Sequence, residues 1–387
     1  MSSAAMDITC NWLCTGDEVF PAMLAAIDEA KKEVCLETYT FSPGSPGERF
    51  RDALIRARQR GLRVRVLIDA LGSYGLPADF FQRLQAVGAE VRLFNPFEVT
   101  LLKPFALNRM SIRNHRKLLV CDDHVAFVGG FNIAPEYEGD GVKCGWCDIG
   151  LKITGPLSAQ LASSFDEMFA RAAFRHKRFM RFRRFDAKKS VTYPTEQILF
   201  GGPGRGQSPL THALREDLKH AKDVKIMVAY FLPTWSLRRG LTEVVRRGGK
   251  VQLILAGKSD VLLSQLAGRS LYRRFLRAGV EIFEYEPQIL HAKLIIVDDI
   301  VYVGSSNLDS RSLQINYELM IRFQNARIAK EAREVFDCAL RHSRRIELEQ
   351  WRQSRTLWEK LKQRFAYWVL VRIDPYFARR LWRSLPD

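Results

Sequence analysis

The residues best suited to chemistry occur in two similar segments of the sequence. In each segment a histidine is followed by a lysine two positions later and by an aspartate seven positions after the histidine. An imidazole can attack phosphorus or move a proton, and an ammonium can bind a phosphoryl oxygen, so this combination suits phosphodiester transfer. The same spacing in both copies argues against a chance origin. The two sets are His115, Lys117 and Asp122, and His291, Lys293 and Asp298.

Both segments are predicted to form a strand, an acidic turn and a second strand. Residues two apart in a strand share a face, so each histidine and its lysine point the same way. Asp122 and Asp298 lie an odd number of residues further on and face the opposite way. Although these aspartates complete the candidate catalytic sets, we expect them to have a structural, ion-pairing role.

Each segment continues into a glycine-rich turn that ends in Asn132 in the first copy and in Asn307 in the second. Breaking a phosphodiester requires a nucleophile, an acid for the leaving oxygen and donors for the phosphoryl oxygens. Two histidines can be held in opposite protonation states by their surroundings. The two lysines and the two asparagines are predicted to bind the phosphoryl oxygens, which leaves no need for a metal ion.

Alternating helical and strand patterns predict an α/β fold made of two similar halves. Residues 20–32 are predicted to be helical and residues 34–41 to form a strand, and residues 211–221 and 224–232 repeat that order. A period this long indicates duplication of a whole domain rather than a solenoid. The predicted domains are residues 1–185, residues 186–340, and a basic, tryptophan-rich helical tail at 341–387.

The composition is that of a folded protein with a strong excess of positive charge. The chain has 387 residues and a formal net charge of +17. Such a charge favours a polyanionic partner, either nucleic acid or the surface of an anionic membrane. The sequence shows neither a secretory signal nor about 20 consecutive apolar residues, so we expect peripheral membrane contact. Seven scattered cysteines indicate reduced thiols.

The paired motifs resemble those of the phospholipase D superfamily, and the likeness extends over residues 15–325. Glu37-Thr38-Tyr39, Tyr230-Phe231 and the run at 304–312 are similar to the cardiolipin synthase branch in particular. The resemblance implies two tandem phospholipase D-like α/β domains with pseudo-twofold symmetry and one shared active site at their interface. Typical members carry two N-terminal membrane spans, and this chain resembles the shorter class without them.

The resemblance also implies a mechanism. One histidine attacks phosphorus to give a covalent phosphohistidine, and the other protonates the leaving alcohol and then activates the acceptor. By resemblance His115 attacks and His291 is the acid and base, although the sequence leaves the reverse assignment open. Asp148 and Glu318 are expected to orient the histidine rings, and Ser305 is expected to bind phosphate.

The function implied by the resemblance is cardiolipin synthesis from two molecules of phosphatidylglycerol, with glycerol released and no cofactor or metal required. The expected setting is the cytoplasmic face of the bacterial cell membrane, with peripheral binding to anionic lipid and without nucleic acid as a partner. Water and alcohol attack the same intermediate, so a phospholipase D or a nuclease-type hydrolase remains the alternative. A non-catalytic binding protein is disfavoured because both motifs are complete.

Three further segments each allow two interpretations. Residues 171–184 interleave basic and aromatic side chains that could bind phosphates or lipid, or form a solvated helix. Residues 97–113 could cover the mouth of the active site or form an ordinary loop. Residues 341–383 contain four of the seven tryptophans, which suit either the headgroup layer of a membrane or packing against the catalytic core.

Overall fold

Two units, each built around one mixed β-sheet, make up the chain. The computed structural model describes residues 8–96, 112–173, 187–204 and 206–373. Unit 1 comprises Met1–Asp140 and Asp148–Arg183, and unit 2 comprises Gly141–Cys147 and Arg184–Asp387. Most of the segments at 97–113 and 171–184, together with Trp382, lie outside the described residues.

The described part of unit 1 contains a sheet covered by helices. Its strands are β1 (Thr9–Leu13), β2 (Glu33–Thr38), β3 (Arg63–Asp69), β4 (Glu90–Phe94), β5 (Leu118–Cys121), β6 (Val125–Gly129) and β7 (Gly150–Thr154). Its helices are α1 (Gly16–Glu29), α2 (Ser45–Gln59), α3 (Gln82–Ala86) and α4 (Pro156–Ala173). The sheet order is β4-β3-β2-β5-β6-β7-β1, in which β2, β3 and β4 run parallel. Helix α4 packs across β2 and β4 to β7.

The described part of unit 2 contains a larger sheet. Its strands are β8 (Lys189–Thr192), β9 (Glu196–Gly201), β10 (Asp223–Val228), β11 (Lys250–Ala256), β12 (Glu281–Tyr285), β13 (Lys293–Val297), β14 (Ile300–Gly304), β15 (Glu318–Gln324) and β16 (Ser343–Arg345). Its helices are α5 (Pro209–Asp217), α6 (Trp235–Arg246), α7 (Leu262–Arg269), α8 (Tyr272–Arg277), α9 (Ser310–Gln314), α10 (Ala326–Arg341), α11 (Leu348–Gln353) and α12 (Leu357–Trp368). The sheet order is β16-β12-β11-β10-β13-β14-β15-β9-β8.

The two sheets share one strand order. The unit 1 order β4-β3-β2-β5-β6-β7-β1 corresponds to β12-β11-β10-β13-β14-β15-β9, and unit 2 adds β16 and β8 at the edges. The registers also agree, because Glu37 lies opposite Leu118 in unit 1 and Met227 lies opposite Leu294 in unit 2. The predicted α/β fold with two copies of one arrangement is confirmed.

Local sequence signals explain where several helices begin. The Thr15 hydroxyl accepts a hydrogen bond from the Glu18 amide at 3.1 Å at the start of α1. The Asn325 side chain caps α10 in the same way. Thr356 and Glu359 form a reciprocal capping box at the start of α12. Each cap satisfies amide groups that the first helical turn leaves without partners.

Acidic turns connect the strand pairs that follow the two histidines. Asp122 directly follows β5 and Asp298 directly follows β13, and both have left-handed backbones, with φ of 56° and 49°. Aspartate tolerates this conformation better than most residues. The turn therefore directs both carboxylates toward the beginning of the neighbouring strand, β2 or β10.

These carboxylates accept hydrogen bonds from backbone amides. Asp122 accepts from the amides of Lys31 and Lys32, each at 2.7 Å, and from Glu33 at 2.9 Å. Asp298 accepts from the corresponding amides at 222 and 223, the latter at 2.9 Å. The ion pairs expected for the aspartates are thus replaced by backbone N–H donors, because the turn aims each carboxylate at the start of a strand.

The C-terminal helices of unit 2 carry tryptophans in two different environments. Trp351 packs on Tyr272, with ring centroids 4.9 Å apart. Trp358 and Trp368 on α12 are 64% and 50% exposed. Within the described ranges, each helix is either too short or too polar to cross a bilayer.

We predict that Asp122→Asn destabilises the protein by about 1.5–3 kcal/mol at pH 7, the range for hydrogen bonds to a charged group. Partial burial opposes ionisation of Asp122, but the three amides outweigh it and hold the pKa of this carboxyl below its ordinary value of 3.8. The stabilisation is therefore present above pH 3.8 and disappears as the pH falls through the lowered pKa. Urea unfolding of both proteins at several pH values measures the difference.

The neighbouring substitution Asp123→Asn is the matched control. Asp123 is exposed and shares the left-handed conformation, with φ of 55°. We expect its effect to stay within about 0.5 kcal/mol. Equal effects of the two substitutions would show that the carboxylate of Asp122 does not fix the start of β2.

Candidate active site

Strand register places the first histidine at one edge of the unit 1 sheet. Strand β5 runs antiparallel to β2 and begins where β2 ends. His115 and Lys117 come just before β5, so they lie at the carboxyl edge of the parallel strands β2 and β3. In α/β folds, ligands bind at this edge.

Unit 2 repeats this placement. Lys293, the first residue of β13, pairs with Val228, the last residue of β10. His291 precedes Lys293 and therefore lies at the carboxyl edge of β10 and β11. The aspartates at 122 and 298 directly follow β5 and β13, so they lie at the opposite edge of each sheet from the histidine.

The asparagines reach the same edges through matching bridges. In unit 1 Ile133 bridges to Phe41, and the Asn132 side chain accepts from the Thr40 amide at 3.0 Å and donates to the Tyr137 hydroxyl at 2.8 Å. In unit 2 Leu308 bridges to Phe231 next to Asn307. Asn307 is buried, and its side-chain oxygen receives no hydrogen bond from the described residues.

The acidic residues predicted to orient the histidines also lie at these edges. Asp148 precedes β7, whose first residue Gly150 pairs with Gly129 at the end of β6. Glu318 begins β15 in unit 2. Both carboxyl groups are buried. Each unit thus brings a histidine, a lysine, an asparagine and a carboxyl group to one edge of its sheet.

The residue that follows β6 is Gly130, whereas the residue that follows the matching strand β14 is Ser305. A side-chain carbon added at Gly130 would lie 2.1 Å from the Asp148 carboxylate, so a larger residue there would force the buried Asp148 side chain to move. In unit 2 the Ser305 hydroxyl donates to the Glu318 carboxylate and accepts from the Leu319 amide at 3.0 Å. A phosphate contact from Ser305 would require its proton to leave Glu318.

Tyr39 flanks the first histidine, and the sequence did not predict its part in the site. The Tyr39 and His115 rings meet edge to face with centroids 5.0 Å apart. The Lys117 ammonium donates to the His115 carbonyl at 2.7 Å and lies 5.4 Å from the centre of the Tyr39 ring. Lys117 is buried, so its charge acts in a medium that screens it weakly.

Buried charges lie directly behind His115. The Glu37 carboxylate accepts from the Asn114 side chain at 2.7 Å and lies 3.2 Å from the Arg116 guanidinium. Burial raises the pKa of Glu37 against the opposing attraction of Arg116. Asp69 accepts from the Asn114 amide at 2.9 Å and from Arg113 at 3.2 Å. Both sequence neighbours of His115 are therefore held by buried carboxylates.

The corresponding positions behind His291 are apolar. The strand registers align Glu37 with Met227, and the histidine motifs align Asn114 with Leu290 and Arg116 with Ala292. These three unit 2 residues are at most 1% exposed. The two histidines thus occupy matching backbone positions, but buried charged side chains lie behind His115 and apolar side chains lie behind His291.

The second histidine is more deeply buried than the first. His291 is 4% exposed, and the Lys293 ammonium lies 2.7 Å from its Nδ1 atom and also donates to its carbonyl. The Trp146 ring lies beside it, with centroids 5.6 Å apart. Lysine and tryptophan together restrict the orientation of the imidazole.

Trp146 reaches His291 because residues Gly141–Cys147 belong to unit 2. The Cys147 amide donates to the Ile289 carbonyl at 2.9 Å, and the His291 amide donates to the Cys147 carbonyl at 2.7 Å. The Tyr285 hydroxyl donates to the Gly141 carbonyl at 2.7 Å. Sequence order assigned this segment to the first half, so no sequence signal pointed to Trp146.

The chain matches the family model described as "Cardiolipin synthase, PLD-like domain" over residues 23–170 and 214–339. It is 30% identical to cardiolipin synthase 1 of Bacillus cereus, over 94% of this chain and 72% of that protein. It is 31% identical to the major cardiolipin synthase of Bacillus subtilis, over 92% of this chain and 74% of that protein. Cardiolipin synthase B of Salmonella typhimurium is 31% identical over 80% of this chain and 76% of that protein.

Among solved structures, the phosphatidylserine synthase of Haemophilus influenzae superimposes with a TM-score of 0.72 at 16% identity, over 95% of this chain and 94% of that one. At this identity the likeness concerns the fold. Two copies of one α/β arrangement, each presenting a histidine and a lysine at the same sheet edge, agree with the match to the family model. The chain belongs to the cardiolipin synthase family of phospholipase D-like phosphatidyltransferases.

Proposed function

We propose that the protein joins two molecules of phosphatidylglycerol into cardiolipin and releases glycerol. The observation that carries this proposal is that, in a chain from the cardiolipin synthase family, each unit places a histidine and a lysine at the same edge of its sheet. In the proposal the two edges act on a single phosphorus atom. We further propose that the protein works at the cytoplasmic face of the cell membrane, bound peripherally to anionic lipid.

In the first step, an unprotonated ring nitrogen of His115 attacks phosphorus. The bond from phosphorus to the glycerol headgroup oxygen breaks, and protonated His291 gives its proton to that oxygen. Glycerol leaves, and the phosphatidyl group remains on His115 as a phosphoramidate. Neutral His291 is then able to accept a proton.

In the second step, a headgroup hydroxyl of another phosphatidylglycerol attacks the phosphoramidate. His291 removes the hydroxyl proton, the bond from phosphorus to nitrogen breaks, and cardiolipin leaves. His115 returns to its neutral form and His291 to its protonated form. Every proton is accounted for, and the number of phosphodiester bonds does not change.

The remaining edge residues have supporting roles in this proposal. Lys117 and Lys293 neutralise the phosphoryl oxygens, and their burial strengthens that effect. Asn307 has a buried amide at the edge, and Asn132 keeps one N–H beyond its bond to Tyr137. Asp148 and Glu318 orient the histidine rings, and Ser305 holds Glu318 in place while it remains a candidate phosphate ligand.

The two histidines have unequal surroundings, which is compatible with unequal roles in the cycle. The charged support of Glu37 and Arg116 occurs behind His115, whereas Met227 and Ala292 stand at the equivalent places behind His291. A cycle that needs one neutral and one protonated imidazole benefits from such a difference.

The central test is product formation. Purified protein mixed with phosphatidylglycerol vesicles and EDTA should form cardiolipin and glycerol, identified by mass spectrometry of the lipids. His115→Ala and His291→Ala should each lower turnover by at least about 10³-fold, because each removes a reacting group. The matched control is His124→Ala, at an exposed histidine in the turn between β5 and β6, which should retain full activity.

Other products would redirect the proposal. Phosphatidic acid in place of cardiolipin would indicate hydrolysis, and cleavage of single-stranded DNA without lipid turnover would indicate a nuclease. Full activity in either histidine variant would exclude the two-histidine mechanism.

The buried pair behind His115 gives a second prediction. Glu37→Gln removes one of the two carboxylates that attract the buried Arg116 guanidinium, the other being Glu167, and should destabilise the protein by up to about 3–5 kcal/mol. The double variant Glu37→Met with Arg116→Ala copies the unit 2 residues and should lose less stability than the sum of its single changes. Urea unfolding measures stability, and turnover is measured in parallel.

The volume-conserving change Met227→Leu at the equivalent unit 2 position is the control and should cost less than about 1.5 kcal/mol. If unequal support matters to catalysis, the double variant should fold and still turn over more slowly than the wild type. Wild-type turnover in that variant would contradict the assigned role of the charged pair.

A further inference from the structure

Helix α12 exposes its apolar side to solvent. Leu357, Leu361 and Phe365 are 79%, 55% and 62% exposed, and Trp358 and Trp368 are similarly open. At 100° per residue, these five positions fall within an arc of about 100°. A helix on the surface of a globular protein normally turns such a stripe toward the core.

The side that α12 turns toward the protein is small or polar. Ala366 is fully buried, and Gln363 is 5% exposed. The Gln363 carbonyl oxygen accepts a hydrogen bond from Arg355 at 2.8 Å, and the Tyr367 hydroxyl accepts from Arg238 at 2.9 Å. Rotating the helix to bury its apolar stripe would break these two hydrogen bonds. The exposed stripe is thus fixed by the structure of unit 2.

Further exposed apolar residues lie at the carboxyl edge of the unit 2 sheet. Trp235 begins α6 shortly after β10 and is 58% exposed, and Leu262 begins α7 shortly after β11 and is 64% exposed. Helix α12 packs against α7. The carboxyl edge of β10 and β11 is also where His291 lies. The exposed apolar surface therefore lies on the histidine side of unit 2.

Lysine and arginine side chains lie close to the exposed tryptophan rings. The Lys362 ammonium lies 5.5 Å from the centre of the Trp358 ring, and the Arg239 guanidinium lies 5.5 Å from the centre of the Trp235 ring. Arg364 is exposed between Leu361 and the end of α12. Tryptophan with lysine and arginine is the combination that binds the headgroup region of an anionic bilayer.

We propose that the exposed stripe of α12, with Trp235 and Leu262, is the surface by which the protein docks on the interface of an anionic bilayer. This inference rests on the proposed function in that the substrate is then a membrane lipid. A second copy of the chain fits the surface less well, because the basic residues of two identical faces would repel each other. Docking through this side of unit 2 would bring the His291 edge close to lipid headgroups.

The test measures binding of the full chain to vesicles of phosphatidylglycerol and phosphatidylcholine by co-sedimentation. The double variant Leu361→Ser with Phe365→Ser should lower the partition coefficient by about tenfold or more, because binding scales with the apolar area inserted. Both side chains already face water, so thermal unfolding should change little. Leu361→Trp should act in the opposite direction and strengthen binding.

The matched control is Leu93→Ser, at a residue that is 48% exposed on β4 of unit 1. Its partition coefficient should equal that of the wild type. Equal binding by the wild type and the serine double variant would overturn the proposal. A second result would also overturn it: light scattering shows that the wild type is a dimer and the double variant a monomer, while vesicle binding is unchanged. A second copy of the chain would then cover the stripe.

Binding and turnover are separate readouts. If the wild type makes no cardiolipin but its binding depends on the α12 stripe, the docking surface stands and the proposed function fails. If cardiolipin forms from vesicles at the same rate in the wild type and the serine double variant, the docking surface is wrong. The ratio of activity on vesicles to activity in detergent micelles should fall in that variant.

Discussion

The antiparallel pairing of β2 with β5, and of β10 with β13, is the constraint on which both candidate half-sites depend. A shift of one residue in either register would turn the histidine and lysine to the other face of the sheet. The carboxylates of Asp122 and Asp298 oppose such a shift, because each binds backbone amides at the beginning of the neighbouring strand. In each unit the aspartate thus fixes the strand register at one end of β5 or β13, and the histidine lies at the other end.

The two half-sites share a backbone plan but differ in what lies behind them. In unit 1 the segment that carries His115 is held by buried ion pairs, whose carboxylates Glu37 and Asp69 come from β2 and β3. In unit 2 the matching space is apolar, and His291 is enclosed by Lys293 and Trp146. A duplicated fold can diverge in this way because the strand register tolerates either kind of packing, provided that every buried charge has a partner.

The duplicated α/β fold and the residues brought to each sheet edge can be predicted from the sequence, because strand periodicity and a repeated motif are local signals. The backbone amides that bind Asp122 cannot be predicted from the sequence, because the alternation of a strand gives the direction of a side chain but not the groups that it contacts. Trp146 cannot be predicted in this way either, because residues Gly141–Cys147 join unit 2 through backbone hydrogen bonds to a segment far along the chain. The sequence leaves open whether the tryptophan-rich tail faces a membrane or packs against the core, because neither periodicity nor composition shows which side of α12 faces the protein.

We propose that two imidazoles act in turn on one phosphorus atom, with His115 as the nucleophile. The most direct measurement is to quench the enzyme during turnover of phosphatidylglycerol labelled at phosphorus and to locate the label by mass spectrometry of its peptides. We expect an acid-labile phosphoramidate on His115, formed more slowly when His291 is replaced. A label on His291 would reverse the roles, and turnover without any covalent adduct would contradict the two-histidine mechanism.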